Sequence, residues 1–174
     1  MPTKLSIVVD ADIARSSGLS EHPVSSGSRK LLECITKHGH YATMCPSLLN
    51  EWKAHRSLFA RKWLASMIAR RKVNFLKADI PTSARNFLTA SIEDSTLKEV
   101  ALKDAHLVDA ALYTNKLIAS NDDRARNAFC TFSQNTGIWS EVAWVNAISN
   151  GSFLQDYLQN QSIMIPKEHK LTPP

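Results

Sequence analysis

Cysteine is scarce in this chain and never paired. Cys34, Cys45 and Cys130 are the only three, and no two stand in a CxxC spacing. Neither a zinc cluster nor a disulfide framework is expected from them. Long apolar runs are also absent. None approaches the ~20 residues of a membrane-spanning helix, so no membrane partner is expected. Met1-Pro2-Thr3-Lys4 passes directly into a strand-like run without the apolar core of a signal peptide, and a cytoplasmic location is the expectation. There is no internal repeat and no low-complexity tract. Acids are missing from one stretch in particular. Between residues 50 and 78 the only acid is Glu51, while Lys53, His55, Arg56, Arg61, Lys62, Arg70, Arg71 and Lys72 crowd the same interval. A solvated helix face usually carries balancing acids, and a segment without them reads as a nucleic-acid contact. The net charge of +5 permits a polyanionic partner without requiring one. What is present suits a globular protein. At 174 residues, 44% apolar and 21% charged, the chain is large enough for one domain with a single core.

Short apolar runs alternate with helical periodicity along the chain. Residues 5–9 (LSIVV) read as a buried strand ending at Asp10-Ala11-Asp12. Residues 19–27 read as a connection, and Ser28 as the cap of a helix to about His38, with Leu31, Leu32 and Ile35 inward and Gly39 ending it. Residues 41–44 form a second strand. Pro46 and Ser47 open one long helix that fades by Arg71, with Leu49, Trp52, Arg56, Phe59, Trp63 and Met67 along one side. Residues 73–76 are a short extended piece, and Pro81 starts a helix to about Ile92. Asp94 or Ser95 caps the helix that carries Asp104. A strand at 117–120, a short helix at 124–129, a polar loop at 133–137 and a last strand at 142–145 follow. A final helix opens at 150–152. The tail from Lys167 is mostly polar and expected to be mobile. This alternation predicts an α/β fold: a three-layer α/β/α sandwich around a mostly parallel sheet of four to five strands, with the strand ends gathered at one edge.

Four carboxylates have comparable addresses in that architecture. Asp10 follows the first strand, Glu51 lies early in the helix after the second, and Asp122 follows the strand at 117–120. Asp104 falls within the apolar stripe of Leu97, Ala101, Val108, Ala111 and Leu112. A carboxylate on a core-facing stripe is costly unless something positive meets it. Each position has a plainer reading. Asp10, Asp12, Asp122 and Asp123 could cap turns or helices, Glu51 could face a helix dipole, and Asp104 could pair with a buried Arg or Lys. One pocket at the carboxyl edge of the sheet accounts for all four together. Carboxylates that close repel, and a hard Mg²⁺ or Mn²⁺ relieves the repulsion. Such a metal activates water and steadies the leaving oxygen of a phosphoryl displacement. His38, His40 and His55 show no zinc-ligand spacing and read as core or surface. The four tryptophans read as core.

In this order the motifs resemble those of PIN-domain ribonucleases. Lys103-Asp104-Ala105 through Ala110-Ala111-Leu112 is similar to the family's third motif, and Leu117-Ile118-Ala119-Ser120-Asn121-Asp122 to its fourth. Asp10 and Glu51 match the first and second acids, and Trp144-Val145-Asn146 resembles the last strand. The likeness covers about residues 4–160. It implies a nuclease domain over 1–160, with a helical insertion at about 46–93, and a C-terminal tail at 161–174. It further implies a metal-dependent endoribonuclease. Asp10, Glu51, Asp104 and Asp122 would be the catalytic, metal-holding set for Mg²⁺ or Mn²⁺, with Glu51 binding or orienting water. Ser120 would fix Asp10, and Arg15, Arg56 and Arg61 would contact the phosphates of single-stranded or looped RNA. Family members that are toxins add an antitoxin protein and a homodimer as implied partners. Asp12 departs from the pattern, which often has Asn or Ser there; as a fifth carboxylate it would bind metal directly or through water. Asp109 and Asp123 are further extras, expected at the surface or at caps. Two other readings stand beside this one. Val8-Val9-Asp10-Ala11-Asp12 resembles the strand and Asp-x-Asp of haloacid-dehalogenase-type phosphatases, though Ile13-Ala14 breaks that pattern and Asp104 has no role in it. The other is a non-catalytic nucleic-acid-binding module on the same scaffold.

Overall fold

In the computed structural model, which describes residues 3–92 and 95–174, strands and helices alternate as the periodicity predicts. β1 (Ser6–Val9) leads into α1 (Ala11–Ser16) and α2 (Pro23–Lys37); β2 (Tyr41–Met44) leads into α3 (Pro46–His55) and α4 (Leu58–Ala69). β3 (Val73–Phe75) is followed by α5 (Ser83–Ala90), α6 (Ser95–Lys103) and α7 (Ala105–Tyr113); β4 (Leu117–Ala119) by α8 (Asp123–Phe132); and β5 (Ala143–Val145) by α9 (Gly151–Gln159). The five strands form one sheet in the order β3-β2-β1-β4-β5, and every pairing is parallel. α2 packs with α1, α4 and α9, while α7 packs with α5 and α6 and against β1 and β4. The sheet therefore lies between two helical layers, and its central strands are apolar on both faces. The chain winds outward from β1 to β3, then returns to the other side of β1 at β4. That reversal opens a crevice at the carboxyl ends of β1 and β4.

Four local expectations change. α2 begins at Pro23, not Ser28, because proline at the first helical position gives up an N–H that has no partner there anyway. Ser28 lies buried inside the helix, sharing a 2.8 Å hydrogen bond with Ser16. Gly39 ends the helical region as expected, at φ +72°. The long helix over 46–71 is two helices. Arg56 turns extended, and Ser57 Oγ accepts from the Ala60 N–H at 3.0 Å, capping α4. Trp52 and Trp63 are buried on either side of that break with ring centroids 5.9 Å apart. Trp52 Nε1 donates to Val9 O at 2.9 Å, which ties α3 to the end of β1 and sets the neighbouring Glu51 beside it. The interval 46–93 also contributes edge strand β3 to the sheet.

The helix expected to carry Asp104 breaks at that residue. The Asp104 N–H bonds Ala101 O at 3.2 Å, and the Leu107 N–H bonds Asp104 O at 3.0 Å. Both are the shorter steps of a 3₁₀ turn, a common mark of a functional kink. Of the two residues expected to cap this helix, Ser95 is the first of α6, and Asp94 lies outside the described residues. The tail is docked rather than mobile. Leu171 is buried and its N–H bonds Val142 O at 2.9 Å; Lys170 bridges Ala143; His169 stacks on Phe153 with centroids 4.5 Å apart. Two anchoring side chains in a polar stretch suffice to hold it. No helix among the described residues is long and apolar enough to cross a membrane.

Candidate active site

At the carboxyl end of β1 the backbone fixes the first acid. The Asp10 N–H bonds Ala119 O at 3.0 Å, holding Asp10 at the crevice between β1 and β4. Its Oδ2 accepts from Ser120 Oγ at 2.7 Å, and the same Ser120 Oγ accepts from the Asp122 N–H at 3.1 Å. One buried serine thus ties the acids after β1 and β4 together. Asp122 Oδ1 caps α8 through the Ala125 N–H at 2.9 Å, which is its plainer reading. The kink between α6 and α7 turns Asp104 into the same space. Glu51 enters from α3. The result is a cavity of about 220 Å³ lined by Asp10, Asp12, Glu51, Asp104 and Asp122, with Arg15, His55 and Lys103 among its other walls. Of the arginines singled out in the sequence, Arg15 lines it. Arg56 and Arg61 do not; Arg56 follows α3 and Arg61 is exposed on α4.

These acids are poorly solvated. Asp10 and Asp104 are each only 7% exposed. Burial raises the Asp10 pKa above the ordinary carboxylate value, while the Ser120 hydrogen bond opposes the rise. Burial, and then the Asp10 charge, push Asp104 up to about 7, with His106 pulling the other way. Burial and Asp10 likewise push Asp12 up to about 7. Asp12 Oδ2 accepts from the Asn121 N–H at 3.0 Å, but its buried Oδ1 has no hydrogen-bond partner among the described residues. Among the described residues no Lys or Arg forms an ion pair with Asp104.

The donor chemistry fits a hard divalent cation. Every carboxylate in the cavity offers oxygen, and Asp12 Oδ1 has no hydrogen-bond partner among the described residues. Among the described residues no three His, Cys, Asp or Glu side chains are arranged to grip an ion as they stand. Direct contact with every ligand is not required of a hard cation such as Mg²⁺, which keeps waters between itself and part of its ligands.

Several contributors were not singled out in the sequence. His106, two residues past Asp104, is buried with Nε2 3.3 Å from Glu51 Oε2, an ion-pair distance without hydrogen-bond alignment. Its signal is a polar ring inside the apolar run of α7. Asn121 ties its loop to three other segments through Asp12, Ser28 and the adjacent Asn146 and Ala147, and no periodicity marks a loop residue of that kind. Lys103 also lines the cavity, as does His55, which the sequence placed in the basic interval of residues 50–78. The two extra acids are structural. Asp109 is buried and accepts the Ala84 N–H at 2.8 Å at the start of α5, and Asp123 accepts from Asn146 Nδ2 at 3.2 Å. His40 is a satisfied core histidine between Leu5 N and Leu158 O.

Because Ser120 orients both Asp10 and the Asp122 backbone, Ser120→Ala is expected to weaken Mn²⁺ binding by about 10–100-fold. Calorimetric titration reads this, and an unchanged circular dichroism spectrum separates it from misfolding. Undiminished affinity would remove Ser120 from the site.

Comparison with known proteins supplies no relative: no family model, no curated protein and no solved structure matches the chain.

Proposed function

We propose that this protein is a metal-dependent endoribonuclease of the kind its motifs resemble, the PIN-domain ribonucleases. One observation carries the reading. Five carboxylates from four separate segments of the chain line one cavity at the carboxyl edge of the sheet, and the buried Asp104 has no basic ion-pair partner among the described residues. Asp10, Asp104 and Asp122 would hold Mg²⁺ or Mn²⁺, with Asp12 as a further oxygen donor. When bound, the metal would supply charge neutralisation, acidify a water and steady the leaving oxygen. The chain's own groups do the rest. Ser120 Oγ holds Asp10 by its Oδ2. Glu51, lying against His106, orients the attacking water and takes its proton on a carboxylate oxygen. Arg15 and Lys103 at the rim draw in the phosphate. A recessed site favours single-stranded or looped RNA, whose backbone can bend into it. The basic run of α3 and α4, with Arg56 and Arg61, extends the attraction away from the cavity. A toxin role, with an antitoxin partner and a homodimer, is the extension of this reading that the resemblance brings, as is a cytoplasmic location.

Incubation with total RNA in Mg²⁺, Mn²⁺ or EDTA, followed by mapping of cut ends, tests the proposal. Internal cuts that EDTA abolishes are expected. RNA binding without cleavage in Mn²⁺ would make the protein a binding module. A trapped aspartyl phosphate would make it a phosphatase, although that chemistry leaves Asp104 without a task.

A further inference from the structure

A second cavity, about 360 Å³, has no lining residue in common with the first but draws on two of the same elements, α3 and the segment around α7. Its lining includes Ser47, Lys77, Thr82, Arg85, His106 and Asp109. α3 gives its first turn to this cavity and Glu51 and His55 to the acidic one. α7 gives His106 and Asp109 here, while Asp104, just before α7, lines the other. Glu51 and His106, one from each cavity, stand 3.3 Å apart. Ser47 and His55 are separated by eight residues of helix, about 12 Å along the axis, so neighbouring nucleotides of one strand can reach both places.

The second cavity differs from the first in charge. Lys77 and Arg85 bring two cations, and among the described residues neither has an ion-pair partner. Among the described residues Asp109 is the one acid in the lining, and its two oxygens accept from the Ala84 and Arg85 N–H groups at 2.8 and 3.4 Å. His106 is 8% exposed, and its Nε2 makes no hydrogen bond among the described residues. α3 begins here with Pro46, and Cys45 supplies no hydrogen-bonding cap, so the positive end of the helix is not answered by a side-chain oxygen.

We infer that this cavity is an anion subsite that holds a phosphate of the RNA strand flanking the bond to be cut. The inference rests on the nuclease reading and adds a binding position to it. It assigns Lys77 and Arg85 to substrate binding, which neither the charge run of α3 and α4 nor the acidic motifs indicate. Their action is on affinity, not on the chemical step, since neither lines the cavity that holds the acids.

The test uses the full chain and a fluorescent 12-nucleotide single-stranded RNA, with Ca²⁺ in place of Mg²⁺. Anisotropy is read across a series of KCl concentrations. Lys77→Gln/Arg85→Gln is expected to bind about tenfold more weakly at low salt, and to flatten the log–log salt slope by about 0.7, the share of one phosphate contact on a single strand. Lys77→Gln alone, at an exposed position that leaves the fold intact, should give about half that change in slope. Lys30→Gln/Lys37→Gln on α2 removes the same charge elsewhere and should leave the slope nearly unchanged. An unaltered slope in the first double variant, or an equal loss in the α2 control, overturns the subsite while the nuclease reading stands. A wild-type protein that binds no RNA overturns both.

Discussion

Asp104→Asn is expected to cut metal-dependent cleavage by about 1,000-fold, since a metal ligand contributes several kcal/mol to the transition state. The same change should make the metal-free protein more stable at pH 8. Asp104 has a folded-state pKa of about 7 against an ordinary 3.8. The folded protein therefore keeps a proton there that the unfolded chain has already released. Below the ordinary value both states are protonated and the group costs nothing. As pH rises from that value to the raised one, stability falls, and above it the buried charge costs the fold in full. That cost is on the order of 2 kcal/mol once relaxation of the site is allowed for, or about 5 °C in melting temperature for a chain of this size. Asparagine carries no charge to bury and is isosteric, so the gain should shrink toward zero near pH 4 (the ordinary value). Melting curves in EDTA at several pH values, run beside the cleavage assay, check both halves. Full activity in the variant removes the assignment. A lower melting temperature at pH 8 would instead reveal a hidden positive partner for Asp104.

Mn²⁺ or Mg²⁺ should raise the melting temperature strongly at pH 8 and weakly at pH 5.5. An ion at 100 times its dissociation constant stabilises by about 2.7 kcal/mol, which is about 5–10 °C here. The ion needs ionised carboxylates, but Asp104 and Asp12 both have pKa values of about 7 and hold their protons at the lower pH. Binding near pH 7 should therefore release protons from these two groups. Titration calorimetry in two buffers of different ionisation enthalpy detects them. No melting shift with either ion at any pH would remove the metal from the proposal. A shift that ignores pH would place the ion away from Asp104 and Asp12.

The acids were legible in the sequence because their positions follow from local pattern. Asp10 and Asp122 each close a short β-branched or apolar run, and Asp104 interrupts a helical stripe. The break at Asp104 was not legible, because the stripe continues across it from Ala101 to Val108 as though the helix were straight. The division of the 46–71 helix was missed for a related reason. Trp52 and Trp63 both keep inward phase, and only the Ser57 cap marks the interruption. The docked tail was hidden by averaging, since Leu171 and His169 are diluted among polar neighbours.

By itself, the sequence determined the alternation of strand and helix, the parallel sheet and the sites of its acidic residues. Periods of 2 and 3.6 residues and the residues that end a strand are properties of a few neighbours along the chain. Only the tertiary structure decided that Asp12 and Arg15 join the acidic cavity, that Arg56 and Arg61 stay outside it, that His106 faces Glu51, and that Lys77 and Arg85 share a second hollow. Those outcomes depend on burial and on distances between groups far apart in the chain. Both are set by how layers pack, which no local window contains.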